Sequence, residues 1–265
     1  MTGEIHVTQK AALASDTTNI AVQNNYGIDA EKAAQLAINL FMENFPKLQE
    51  EARQIAKKRA EELCGEVIKR LADSGKSDYS EFSDPDVQYI FYEAQRGYAR
   101  FGENDLLQIL SELVSGRIMV EEKGYVKRVY DKAVALALEL SPSHVDYLTF
   151  VFLTKHVAFN AIKDIETLKR HCEYICERII IEPNILNYIS YLNMLGCFEI
   201  DLGTASQVFS RHYNIAETDI KKILPEQYEY IPGDYNLSPA AIVIAVLNAQ
   251  KKTNFKLNLD MWIHE

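Results

Sequence analysis

Long apolar runs are the first thing missing from this 265-residue chain. The longest, Ala240 to Leu247 and Tyr147 to Leu153, fall far short of the roughly 18 to 20 residues that cross a bilayer. Around its start Glu4, His6 and Lys10 surround isolated Ile5 and Val7 with no apolar stretch of a secretory leader, so the sequence reads as cytoplasmic. Cysteine is scarce: Cys64, Cys172, Cys176 and Cys197 form no dense disulfide framework, and reduced thiols are expected. Positive charge is in deficit, with 28 Lys and Arg against 38 Asp and Glu for a net charge of -10. That balance argues against broad nucleic-acid binding, which needs clustered bases on the phosphates. Closely spaced glycines are absent, so neither GxxxxGK[ST] nor GxGxxG occurs. There is also no GxSxG elbow and no HExxH helix, and the six histidines are scattered. What is present, 48% hydrophobic and 25% charged residues, suits a soluble chain of one large domain or two small ones.

Residues 1–28 read as an extended polar arm. Within it Thr17 to Asn25 carries no charge and no proline; Thr18, Ile20, Val22 and Asn24 alternate with Asn19, Ala21, Gln23 and Asn25. Such a two-sided strand needs a partner to satisfy its backbone, so the segment either pairs or is a disordered N-terminal arm, two readings of equal standing from the sequence. From Asp29 the period becomes helical, with Ala33, Ala37, Phe41, Phe45, Leu48, Ala52, Ile55, Leu63, Val67 and Leu71 recurring every three or four positions. The spacing predicts one long kinked amphipathic helix over 29–73, broken near Asn44 to Pro46 because proline cannot donate a backbone N–H. Acids and bases balance along it, whereas Asp73 to Glu122 holds eleven acids against four bases. The polar stretch 73–83 is the best domain boundary.

A helical domain is expected over 84–183. Asp84-Pro85 opens one helix and Gly102 closes it; others are expected over 103–119, 126–140, 142–156 and 163–181. Residues 184–265 read as a small helix and strand unit. Helices near 184–195, 203–212, 216–224 and 238–251 are interleaved with alternating Phe198, Ile200, Leu202 and Phe255, Leu257, Leu259, Met261. The fold class is thus mainly α: a helical bundle with a long N-terminal amphipathic helix and a small C-terminal winged-helix-like α+β part.

Several side-chain constellations merit weighing. His171-Cys172 with Cys176 shares a helix face, but a zinc site needs two further ligands from distant Cys197, Cys64 or His156; buried apolar thiols are the simpler expectation. Asp84 and Asp86, Glu121 and Glu122, and Asp164 with Glu166 are carboxylate pairs; the first two lie at expected helix ends, and capping with the helix dipole suffices for Asp84 and Asp86. Arg96, Arg100 and Arg117 are isolated bases that could hold an anion or pair with acids such as Glu93, Glu103 and Glu112. A DNA-reading helix would have only Arg211 and His212, or Lys251 and Lys252. No catalytic set, metal or cofactor is expected.

Three stretches carry a family resemblance: Asp84-Pro85-Asp86-Val87-Gln88 leading to Ala99-Arg100-Phe101-Gly102-Glu103-Asn104-Asp105-Leu106; Leu110-Ser111-Glu112-Leu113-Val114-Ser115-Gly116-Arg117; and Leu138-Glu139-Leu140-Ser141-Pro142-Ser143-His144-Val145-Asp146. In layout, residues 84–250 resemble bacterial helical proteins related to the abortive-infection protein Abi-alpha. Met194-Leu195-Gly196 is similar to their Leu-Gly turn, while Leu237-Ser238-Pro239 stands where they carry Leu-Thr-x-x-Gly. These motifs are structural and carry no catalytic signature. Thr18 to Asn25 is similar to the Asn- and Gln-containing β-segments of bacterial signalling amyloids. The hydrophobic residue and glycine that follow Val-Gln in a RHIM are Asn24 and Asn25 here, so it is not read as one.

The resemblance implies a non-enzymatic antiphage sensor or adaptor. Self-association is expected through Ile20, Val22, Gln23, Asn25, Phe41, Leu48, Ile55 and Leu63, giving a homo-oligomer that holds a partner, with a second defence protein as a candidate. The rival expectations are a metal-dependent hydrolase or nuclease whose acids converge only in the fold, and, ranked last, a membrane-surface role for 30–72.

Overall fold

Local capping chemistry decides where most helices begin in the computed structural model, which describes residues 28–44, 50–120, 124–182, 185–198, 202–228, 230–232 and 237–263. α1 (Ala30–Asn44) and α2 (Glu50–Asp73) are the two halves of the expected long helix. They fold back antiparallel, with Cys64 Sγ 3.9 Å from the Ala34 carbonyl and Phe41 packed with Ala56 and Ala60. α3 (Pro85–Phe101) is capped by Asp84, whose carboxylate accepts from the Asp86 N–H at 2.8 Å, and it ends at Gly102 with φ 69°. A side chain at Gly102 would be strained in that left-handed conformation and would also strike the Arg59 guanidinium.

α4 (Asn104–Met119) and α5 (Tyr125–Ala137) follow, then α6 (Pro142–Lys155), which opens with a capping box between Ser141 and His144. α7 (Ile165–Cys176) starts on an Asp164 and Thr167 box, and α8 is Ile185–Met194. α9 (Ala205–Tyr213) is capped by Thr204, and α10 (Glu217–Ile220) is one turn. α11 (Pro239–Lys252), capped by Ser238, completes eleven helices among the described residues.

α11 is apolar on all sides, and so is α6, which is why both are buried at the centre; α11 packs against α4, α5 and α6. One buried cluster runs from Ala33 to Ile263. The stretch 73–83 brings Tyr79 and Phe82 into that same cluster beside Leu71 and Phe91. α2, about 36 Å long at 1.5 Å per residue, turns Leu63, Val67 and Leu71 inward, against α3 and α4.

The winged-helix-like C-terminal part is corrected. The sheet is two three-residue strands, β1 (Leu202–Thr204) antiparallel to β2 (Tyr230–Pro232), with a lone bridge from Phe198 to Leu237. Among the described residues the predicted strand at 255–261 pairs with no strand: Phe255, Leu257 and Leu259 rest on the helical core, Met261 is exposed, and the segment ends in a 3-10 turn, Leu259–Met261. Alternation reports one buried face, and a wall of helices buries that face as well as a second sheet would. The helix expected to serve as part of a wing unit is α11, the middle of the core.

Candidate interaction site

Buried charge in this protein is engaged in holding helices together. Arg117 is 1% exposed on α4 and donates to Asp131 of α5 at 2.7 Å and to Asp86 at the start of α3. Burial pushes the Asp131 carboxyl above its ordinary range, and Arg117 only partly offsets that. Asp146, on α6 and 3% exposed, accepts from Lys252 Nζ at 2.6 Å, from Asn248 Nδ2 at 3.0 Å and from the Ile180 N–H at 3.0 Å. Asn248 donates also to Thr149 Oγ1 at 2.8 Å. Arg70 ties α2 to α4 through Glu112 at 3.0 Å, Ser111 at 2.9 Å and Gln108 at 2.6 Å.

The other predicted bases lie apart on the surface. Arg96 pairs with Glu93 at 2.6 Å, and Arg100 lies over the Phe101 ring at 5.0 Å. The three arginines therefore form no common anion site. Asp84 and Asp164 are helix caps, and Glu121 and Glu122 lie outside the described residues. Of the self-association residues, Phe41 and Leu63 are 0% exposed inside the chain's own core, while Ile55 is 52% exposed. Ile20, Val22, Gln23, Asn25 and Leu48 lie outside the described residues.

One surface stands apart from these structural pairs. Between the α6–α7 connection, α7 and the segment after α11 lies an open groove of about 640 Å³ lined by Phe159, Ile162, His171, Tyr174, Asn254 and Phe255, with Arg170 on its rim. The Phe159 ring is 4.3 Å from His171 and 4.7 Å from Phe255, and Tyr174 is 5.6 Å from Phe255. Two hydrogen bonds fix the walls: the Phe159 N–H donates to the Tyr213 hydroxyl at 3.2 Å, and the Asn254 N–H to the Tyr174 hydroxyl at 3.0 Å. Burial pushes His171 down to about 4, so its imidazole is neutral at pH 7, and its Nε2 has no hydrogen-bond partner among the described residues.

The thiols beside it are inert. Burial pushes Cys172 up to about 12 and Cys176 up to about 11, so neither is a thiolate. Cys64 and Cys197 are likewise raised to about 12, and His156 stacks on Phe152 at 5.7 Å. Among the described residues no three of His, Cys, Asp and Glu stand together as a metal cluster. Sequence reasoning missed the groove because its walls come from residues some 95 positions apart, from Phe159 to Phe255. It also missed Asp146 and Asn248, although an acid and an amide within apolar runs of their helices were visible signals.

Fold and site together define a helical protein with one continuous core and an open aromatic groove. One family model, described only as “:-like”, matches residues 27–232, and the chain belongs to that family. The description names no activity and no partner, and it does not name the Abi-alpha type. No curated protein and no solved structure matches the chain.

Proposed function

We propose that this chain is a non-enzymatic, self-associating sensor or adaptor of bacterial antiphage defence, of the abortive-infection type, that holds a partner in the aromatic groove. The observation that carries the partner-holding part is the groove itself. Four ring-bearing side chains, Phe159, His171, Tyr174 and Phe255, line an open surface, as anchors of binding surfaces do. The defence setting rests on the Abi-alpha-like layout of residues 84–250. A metal-dependent hydrolase has less support, because Asp84 and Asp164 cap helices and Asp86 holds Arg117. A lipid-surface role has less support too, because α2 turns its apolar face toward α3 and α4.

The test is phage challenge of the bacterium that carries the gene, comparing the intact protein with Phe255→Ala and with the rim variant Arg170→Glu, each checked for an unchanged melting curve. The expected result is protection by the intact protein, lost in both variants. Protection that survives in both sinks the groove's role, and no protection from the intact gene sinks the defence setting.

A further inference from the structure

The segment after α11 has the geometry of a strand without a strand beside it. Thr253 (φ -124°, ψ 172°) and Asn258 (φ -99°, ψ 113°) are both extended. Between them Phe255 and Leu257 are half-buried against the core, while Asn254, Lys256 and Asn258 are exposed. In extended backbone, alternate residues present their N–H and C=O groups to the same side. One side is tied to the protein: the Phe255 N–H donates to Thr253 Oγ1 at 3.2 Å, and the Leu257 carbonyl accepts from Gln250 Nε2 at 2.8 Å. The other side begins at the Asn254 N–H, bonded to Tyr174 at the lip of the aromatic groove. Beyond that bond the Asn254 carbonyl, both backbone groups of Lys256 and the Asn258 N–H have no partner among the described residues. Two donors and two acceptors therefore form a short open edge beside an apolar groove, the arrangement that takes up an added strand: main-chain bonds supply affinity and the groove receives alternate side chains.

We propose that this edge receives the N-terminal segment Thr17 to Asn25 of a second copy of the chain. This rests on the self-association reading and names its surface. Three observations select that occupant. The segment has strand alternation, no charge and no proline, with Ile20 and Val22 on one face to enter the groove and Asn and Gln residues on the other. Only Tyr26 and Gly27 link it to Ile28, a tether of about 10 Å at 3.3 Å per residue, so pairing sets the start of α1 of one copy close to the edge of the other. Third, two copies of the edge do not suit each other, since antiparallel pairing centred on residue 256 sets Lys256 opposite Lys256. An uncharged strand avoids that repulsion. The arm leaves from α1, which packs on α2, α3 and the 80–83 turn, whereas the edge lies beside α7 and the end of α11, so the pairing is placed between copies.

The test mixes two full-length chains, one carrying Lys256→Cys and a size tag, the other carrying Val22→Cys or Ala21→Cys, under mild oxidation. The buried native thiols serve as the background control. The expected result is a mixed disulfide-linked dimer whose yield falls when excess untagged parent chain competes for the arm and does not fall with excess Lys256→Pro chain, which lacks that N–H; Lys256→Pro also lowers the solution mass at an unchanged helical spectrum. If removal of residues 1–28 lowers the mass but Lys256→Pro does not, self-association stands and this edge is overturned as its surface. A cross-link confined within a single chain carrying both cysteines overturns the exchange between copies.

Discussion

His156 and His171 show at single-residue scale how burial sets the pH response. Both are pushed by burial to about 4, below the ordinary 6.5, so the unfolded chain takes up protons first as pH falls. Their contribution is complete above pH 6.5 and is lost as pH falls toward 4. Each buried imidazole should cost about 2 kcal/mol between pH 7.5 and pH 5; His144 and His212 are lowered in the same direction. Urea titrations at the two pH values should show this loss in the parent and a visibly smaller one in the His156→Phe, His171→Phe double variant. Equal slopes would mean that neither imidazole is held neutral by the fold. Residue scale is also where the sequence was least legible. Arg96, Arg100 and Arg117 look alike in the primary structure, yet only Arg117 is buried, because its second carboxylate, Asp131, arrives from α5. Phe41 and Leu63 likewise have the spacing of an outward stripe and are instead covered by the chain's own helices.

Elements were more legible, since most of what starts and stops a helix lies within four residues of its end. Asp84-Pro85, Ser141-Pro142, Asp164 and Ser238-Pro239 all cap the helices expected at them, and Gly102 ends α3. The misreading at 255–261 has a tertiary cause: alternation identified the buried face but not what covers it. How elements are joined is a matter of the polar contacts between them, and α6 with α11 gives the clearest case. Asn248→Leu removes both side-chain donors to Asp146 and Thr149 while keeping the branched shape and heavy-atom count of the side chain. Asp146 keeps Lys252 and the Ile180 N–H, so the expected loss is about 1–3 kcal/mol, read as a lower urea midpoint at unchanged slope. A midpoint equal to the parent's would show that the Asn248 bonds add nothing to the joining of α6 and α11.

At the scale of the whole molecule the buried helices form a finished core, whereas the aromatic groove and the edge at 254–258 are unfinished surfaces. A chain with a net charge of -10 resists unspecific association, so contacts between copies need a specific, charge-free device. The uncharged sequence Thr17 to Asn25 is the device proposed above. The central claim is that this chain works as an assembly joined through its first residues. Its most direct test is the solution mass by light scattering of the intact chain beside one lacking residues 1–28, at matched concentration and with helical content checked. The account predicts an oligomer for the intact chain and a smaller species for the truncated one. Two monomers, or two oligomers of equal order, would contradict it.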